Sequence, residues 1–323
     1  MPRVDIHQHL WPERLIDELS RRDRPPFIRK AGARWRLRIQ GEPDHHFDLS
    51  QHDADLRARQ LGGEGIDRAL ISLSTPLGIE GLPADEAEPL LESYHAGVLE
   101  LGEPFAAWAS TRLRSPDPGR VDEALDRGLV GLALPAGALG SREGLVRIRP
   151  LLSLLEARGA PLFIHPGPDP LEIRFDANEP NTDPVWWPAM TSYVSQMNAT
   201  WHAFAAWGRL SHPNLRVVFA MLAGGAPLHH ERYLARGGPS AAVSDQLAFY
   251  DTSSYGQRAL DAAVRVVGID QLVYGSDRPV IDPPPPTLLG EAAGEAILRT
   301  NPARALGAPA PEPAVAVAVA VAA

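Results

Sequence analysis

Two histidines one residue apart, His7 and His9, close the short run Val4-Asp5-Ile6-His7-Gln8-His9 near the N-terminus. In an extended chain, residues i and i+2 point to the same side. The two imidazoles therefore project together, spaced to share one metal ion. Further candidates close other apolar runs: His165 follows Pro161-Leu162-Phe163-Ile164, Asp251 follows Leu247-Ala248-Phe249-Tyr250, and Asp277 follows Val273-Tyr274-Gly275-Ser276. The three imidazoles of His7, His9 and His165 with the carboxylate of Asp277 suit one divalent ion such as Zn²⁺, with Mn²⁺ as the alternative. An open coordination position would bind water and lower its pKa towards neutrality. Asp277 is then the group to accept that water's proton, or to return a proton to product. Each residue also has a structural reading. His165 fits a core histidine before Pro166, Asp277 fits a turn in Gly-Ser-Asp, and Asp251 fits a hydrogen-bonding partner behind a ligand.

Composition narrows the chemistry. The 323 residues contain no cysteine, so thiolate ligands and disulfides are excluded and any metal must be held by His, Asp or Glu. A net charge of −9 argues against a nucleic-acid surface, which needs a basic face. No apolar run reaches the roughly 20 residues of a membrane helix. Pro2 and Arg3 lead straight into the first apolar run without a signal-like leader. The expectation is a cytoplasmic protein acting on a small molecule, with no membrane or nucleic-acid partner.

The elements that must position these residues are legible as a repeat of short apolar run, loop and helix. Beyond the opening strand the runs are 69–73, 105–109, 130–134, 161–165, 215–220, 247–251 and 271–275, eight in all. Helical patterns separate them, among them 12–22, 85–101, 121–127, 144–158 and 257–267. Nearly continuous apolar strands alternating with helices indicate a parallel sheet buried on both faces. Eight such units predict an α/β fold, a closed (β/α)8 TIM barrel with its catalytic groups at the C-terminal ends of the strands. No Gly-x-Gly-x-x-Gly turn follows the first strand, which weakens a dinucleotide-binding alternative. Residues 24–49 break the rhythm and predict a flap with hairpin character inserted after strand 1. Ser50 is expected to cap a helix over 51–61, ended by Gly62-Gly63. The barrel domain is expected over 1–307, and the Ala/Val-alternating stretch 308–323 reads as a disordered low-complexity tail.

Several matching pieces occur in order: Asp5-Ile6-His7-Gln8-His9, Phe163-Ile164-His165-Pro166, Gly224-Gly225-x-Pro227, Tyr274-Gly275-Ser276-Asp277-Arg278-Pro279 and Asn301-Pro302-Ala303-Arg304. Together they resemble the amidohydrolase superfamily, in the branch of the aminocarboxymuconate-semialdehyde and hydroxybenzoate decarboxylases. The resemblance spans about residues 3 to 306. It implies that His7, His9, His165 and Asp277 are metal ligands and that Asp277 also moves a proton; homodimers are common among the proteins it resembles, which makes a homodimer one possible state.

One position departs from the family pattern. Where the family has a histidine two residues before the Gly-Gly pair, this chain has Leu222, or Met221 if the loop is longer by one. Neither side chain accepts a proton.

The function expected first is metal-dependent, non-oxidative decarboxylation of a small unsaturated or aromatic carboxylic acid. The alternatives are metal-dependent hydrolysis of an ester, lactone or amide, or a catalytically weakened relative that only binds. Arg34, Arg36, Arg174 and Arg278 are candidates to clamp a carboxylate, and Trp186-Trp187-Pro188 to wall the pocket. Of these, Trp187 and Arg278 are the substrate-binding residues selected. The remaining histidines, including His45, His46, His52, His95, His202 and His212, are expected at the surface or in loops.

Overall fold

The computed structural model describes residues 1–32, 34–172 and 181–307; Arg174 and the tail 308–323 lie outside the described residues. After β1 (Val4–Gln8) come three inserted strands, β2 (Phe27–Ala31), β3 (Arg34–Arg38) and β4 (His45–Phe47). The chain then forms β5 (Arg68–Ile71), β6 (Phe105–Ala107), β7 (Leu132–Pro135), β8 (Leu162–His165), β9 (Val217–Phe219), β10 (Ala248–Asp251) and β11 (Leu272–Val273). Strands β1, β5 and β6 pair in parallel, as do β7 to β11 in sequence order. Backbone bonds join the two sheets at both edges. Ala109 bridges Leu132 and Gln8 bridges Arg278, with Ala109 N donating to Gly131 O at 2.8 Å and Ile6 N to Tyr274 O at 2.9 Å. The eight expected strands thus form one (β/α)8 barrel. Strands such as Leu162–His165 are buried at every position, the reason their sequences are continuously apolar rather than alternating.

The helices follow the expected pattern within a few residues, at Glu13–Arg21, Ala84–Leu101, Pro118–Asp126, Arg142–Arg158 and Gln257–Val267. The cap at Ser50 is a correction. Asp53 is the N-cap of the helix Ala54–Glu64, its carboxylate accepting from Leu56 N at 2.8 Å. Ser50 instead donates to Asp48 within a short 3-10 turn. Gly62 and Gly63 lie inside the helix, which ends at Gly65 in the left-handed region (φ 66°). Ile66 N bonds Leu61 O and Gly65 N bonds Gly62 O, the paired closing bonds of a Schellman ending. Burial of Leu61 carries the helix one turn further than the first glycine pair suggests.

The insertion after strand 1 is an antiparallel three-stranded sheet, Trp35 opposite Phe47 and Ile28 opposite Leu37. Its root is aromatic. Phe47, Trp11 and His52 pack as a mutual cluster of three rings with centroids 4.8–5.1 Å apart, and His52 Nδ1 accepts from Trp11 N at 3.0 Å. Burial, reinforced by Arg57, pushes the His52 pKa down to about 3, so the ring is the neutral acceptor this bond needs. His95 and His212 are likewise buried rather than exposed. His95 Nε2 accepts from Ser110 N, and His212 pairs with Glu156. Each supplies a polar partner where a loop enters the core.

Replacing Asp53 with Ala is expected to cost about 1 kcal/mol of unfolding free energy, while Ser50→Ala stays within about 0.5 kcal/mol. Denaturant titration of the two variants checks the order; equal losses would return the cap to Ser50.

Candidate metal centre

Strand-end positions bring His7, His9, His165 and Asp277 into one buried group, with one ligand atom from each lying within 4.8 Å of all the others. The three rings stand nearly perpendicular to one another, with centroids 4.9–5.0 Å apart. His7 Nε2 and His9 Nε2 are 3.2 Å apart, and Asp277 Oδ1 lies 3.4 and 3.2 Å from them. A divalent ion about 2.0–2.1 Å from each donor in tetrahedral array requires donor separations of roughly 3.3–3.4 Å. The spacing of the His7, His9 and Asp277 donors fits such an ion, and His165 adds a fourth donor of the right chemistry within 4.8 Å of them.

Each imidazole is fixed from behind. His7 Nδ1 donates to Asp251 Oδ2 at 2.7 Å, and His9 Nδ1 donates to the carbonyl of Ser72 at 2.9 Å. His165 Nδ1 lies 2.9 Å from both Thr75 Oγ1 and Pro166 O. A proton committed to Nδ1 leaves the Nε2 lone pair directed at the shared point, the arrangement that orients metal-ligating histidines. Phe163 lies edge-on to His7 and stacks on Trp108, whose indole N–H donates to Ile6 O. This apolar floor isolates the group from the barrel interior.

Asp251, expected as a hydrogen-bonding partner, serves two elements. While Oδ2 holds His7, Oδ1 accepts from Ser253 N, Ser253 Oγ and Met221 N, the last at 2.8 Å. Its close packing depends on Gly275: a Cβ there would come within 2.9–3.0 Å of the Asp251 side chain. The bond to Met221 anchors an unusual segment. Met221, Leu222 and Ala223 (φ 52°, 48° and 54°) precede Gly224 and Gly225, making five consecutive residues in the left-handed region. Each non-glycine residue there costs about 1–2 kcal/mol, so the turn persists because Asp251 and its neighbours hold it. This is the position of the missing family histidine. Leu222 is buried and Met221 half-buried, and neither offers a proton acceptor.

Asp277 also adopts a left-handed conformation (φ 57°), fixed by its N–H donating to His7 O at 2.9 Å. Burial pushes its pKa up, but the charge of His7 and hydrogen bonds from His9 and Ser254 outweigh it and hold the carboxyl below its usual range. Burial alone lowers the His7 pKa; Asp251 and Asp277 overcome that and raise it to about 9. His165 goes the other way, well below 6.5, through burial and the neighbouring imidazoles. Asp5, missed as a partner, accepts from His7 N, Ser276 N and Gln8 Nε2, tying the first and last strand ends together. Its pairing was invisible because its partner Ser276 is 271 residues away.

The two proposed substrate contacts stand apart from this group. Trp187 is 46% exposed and tilts against Trp186, and the Arg278 guanidinium is paired with Glu64. Arg36 is engaged with Asp44.

Asp251→Asn is expected to weaken divalent-ion affinity by about 10–100-fold by disturbing His7, read as ion retained after dialysis; undiminished retention would remove Asp251 from the site. His7 also predicts a pH dependence. Its folded pKa of about 9 exceeds the ordinary 6.5. Protonation therefore stabilises the metal-free protein fully below about pH 6.5, and that stability is lost as pH rises through about 9. An ion must displace this proton, so zinc affinity is expected to increase across the same interval with proton release. Isothermal titration in buffers of different ionisation enthalpy measures both.

Known proteins with this architecture include several decarboxylases. The IDCase of Metarhizium anisopliae superposes with a TM-score of 0.75 at 18% identity, covering 94% of this chain and 97% of that one. The 2,6-dihydroxybenzoate decarboxylase from Rhizobium gives 0.65 at 19%, covering 95% and 98%. The 5-carboxyvanillate decarboxylase of Novosphingobium aromaticivorans, complexed with manganese and 4-hydroxy-3-methoxy-5-nitrobenzoic acid, gives 0.69 at 13%, covering 94% and 96%. No curated protein matches in sequence. The amidohydrolase family model matches residues 4–308, essentially the whole barrel. With that match and its buried His/Asp group, this chain belongs to the amidohydrolase family.

Proposed function

We propose that this chain is a metal-dependent carboxy-lyase that removes carbon dioxide from a small aromatic or unsaturated carboxylic acid. His7, His9, His165 and Asp277 are the ligands. Zn²⁺ is the ion favoured by three imidazoles and one carboxylate, and Mn²⁺, the ion in the Novosphingobium complex, is the alternative. The observation that carries the reading is the pairing of this complete donor group with a β9 end made of Met221 and Leu222. Both reactions need one proton-carrying group, and Asp277 can serve either; a β9 end without a histidine leaves no second acceptor to help activate water, which favours decarboxylation. The similarity in fold to three decarboxylases supports the same choice.

The bound ion would supply Lewis-acid polarisation of the substrate's oxygen atoms and neutralise their charge. The remaining work falls to the chain. Breaking the carbon–carboxylate bond leaves its electron pair on the substrate carbon and releases carbon dioxide. Asp277, whose Oδ1 faces His7 and His9, is ionised because its carboxyl is held below its usual range; it takes up one proton from solvent and passes it to that carbon through Oδ2. Asp251, Ser72 and Thr75 keep the imidazoles oriented throughout, and Phe163 with Trp108 excludes water from below. Trp187, exposed beside Trp186, and Arg278, paired with Glu64, are the substrate contacts proposed outside the donor group. Among the described residues no helix is long and apolar enough to cross a membrane, in keeping with a small-molecule substrate met in water.

A panel of aromatic and unsaturated acids, assayed for carbon dioxide release with the zinc- or manganese-loaded protein, tests the reading. Turnover that vanishes in His9→Ala together with bound metal is expected. Acid release from esters or lactones without carbon dioxide would make the enzyme a hydrolase instead.

A further inference from the structure

The flap reaches across the barrel mouth to the helix Ser192–Ala203, which follows strand β8. Tyr193, in its first turn, donates its phenolic proton to Glu42 Oε1 at 2.5 Å. Glu42 lies in the β3–β4 turn, and its Oε2 is 3.0 Å from His45 Nε2. Next to it, Asn181 Nδ2 donates to Gly41 O at 2.8 Å, a second tie between flap and the chain after β8. The same helix is fixed to the metal side of the barrel. Gln196 accepts from Gly167 N, two residues beyond His165, and a Cβ on Gly224 would lie 2.7 Å from Val194 O. Tyr193 therefore stands between the flap and the segments that follow β8 and β9, near enough to Asp277 to feel its charge.

Hydrogen-bond arithmetic gives this wall a definite character. A phenol has one proton, and Tyr193 spends it on Glu42. What remains on the phenol oxygen and on the carboxylate, whose Oε2 also meets His45 Nε2, are acceptor lone pairs. Burial, with Glu42 and Asp277 adding their charge, pushes the Tyr193 pKa well above its ordinary value, so the phenol keeps its proton at working pH. Glu42 is only 11% exposed at its side chain, so a group meeting it is desolvated as well. An acceptor-only wall stabilises a donor that faces it and repels a second carboxylate, whose lone pairs find no proton there.

We infer that Glu42 and Tyr193 determine specificity: a substrate whose carboxylate lies at the four-donor group must present a hydrogen-bond donor to the flap, and a second carboxylate there is excluded. The inference rests on the substrate orientation given under the proposed function. It uses the insertion of residues 27–47, an element separate from the metal ligands.

The test is direct binding, by calorimetry, to the zinc-loaded full chain. The probes are the three monohydroxybenzoates, their methyl ethers and the three benzenedicarboxylates. The best hydroxybenzoate is expected to bind about tenfold or more tightly than its methyl ether and than any dicarboxylate. Glu42→Gln, which supplies a donor as well as an acceptor, is expected to bring hydroxyl and methoxy within about twofold and to admit a dicarboxylate. Tyr193→Phe is expected to shrink the preference while leaving zinc content unchanged. Binding without a hydroxyl preference, or a preference that survives Glu42→Gln, overturns this inference alone. Binding with the preference but no carbon dioxide release supports it and overturns the decarboxylase reading. No binding by any probe overturns both.

Discussion

The bond on which the rest of this site depends is the one between Asp251 and His7. A carboxylate with no solvent exposure is costly to bury, and here both oxygens accept hydrogen bonds. One oxygen sets the tautomer of a metal-facing imidazole and the other holds the loop after β9 in a backbone conformation its residues would not choose. Gly275 leaves room for it, and the parallel pairing of β10 and β11 sets the height at which it meets His7. Removing the carboxylate would release the ligand and the loop together.

The charge balance of the centre follows from this. Asp5, Asp251 and Asp277 surround three imidazoles in a volume closed below by Phe163 and Trp108. His7 absorbs the excess negative potential by holding a proton, and His165, buried and beside the other two imidazoles, stays neutral. A divalent cation replaces that proton with a larger charge at the point where the Nε2 atoms converge. The site is thus built for a charge that the polypeptide itself does not carry.

Much of this is legible in the linear chain, and for identifiable reasons. Period-two geometry makes His7-Gln8-His9 readable as a pair, and the continuous apolar runs make eight buried strands readable as a barrel. His165 and Asp277 are readable because barrel chemistry collects at strand ends. The remainder depends on contacts without a local pattern. Thr75 reaches His165 across 90 residues, and Tyr193 reaches Glu42 across 151. Nothing in Met-Leu-Ala signals a left-handed turn, since these residues have no preference for it and only tertiary bonds impose it. The cap moved from Ser50 to Asp53 for a similar reason: both residues can cap, and the burial of Leu61 selects the helix that Asp53 begins.

The backbone bond from Asp277 N to His7 O joins the first of the four candidate donors in the chain to the last. During synthesis, a chain that has not yet emerged past the eighth barrel strand owns three imidazoles but neither the carboxylate nor the strand that closes the wall. Its affinity for a metal is that of a loose histidine cluster. The full donor group appears only when the two ends of the barrel domain meet, and an ion held by all four donors would favour the closed barrel over the open one, a clasp on its seam.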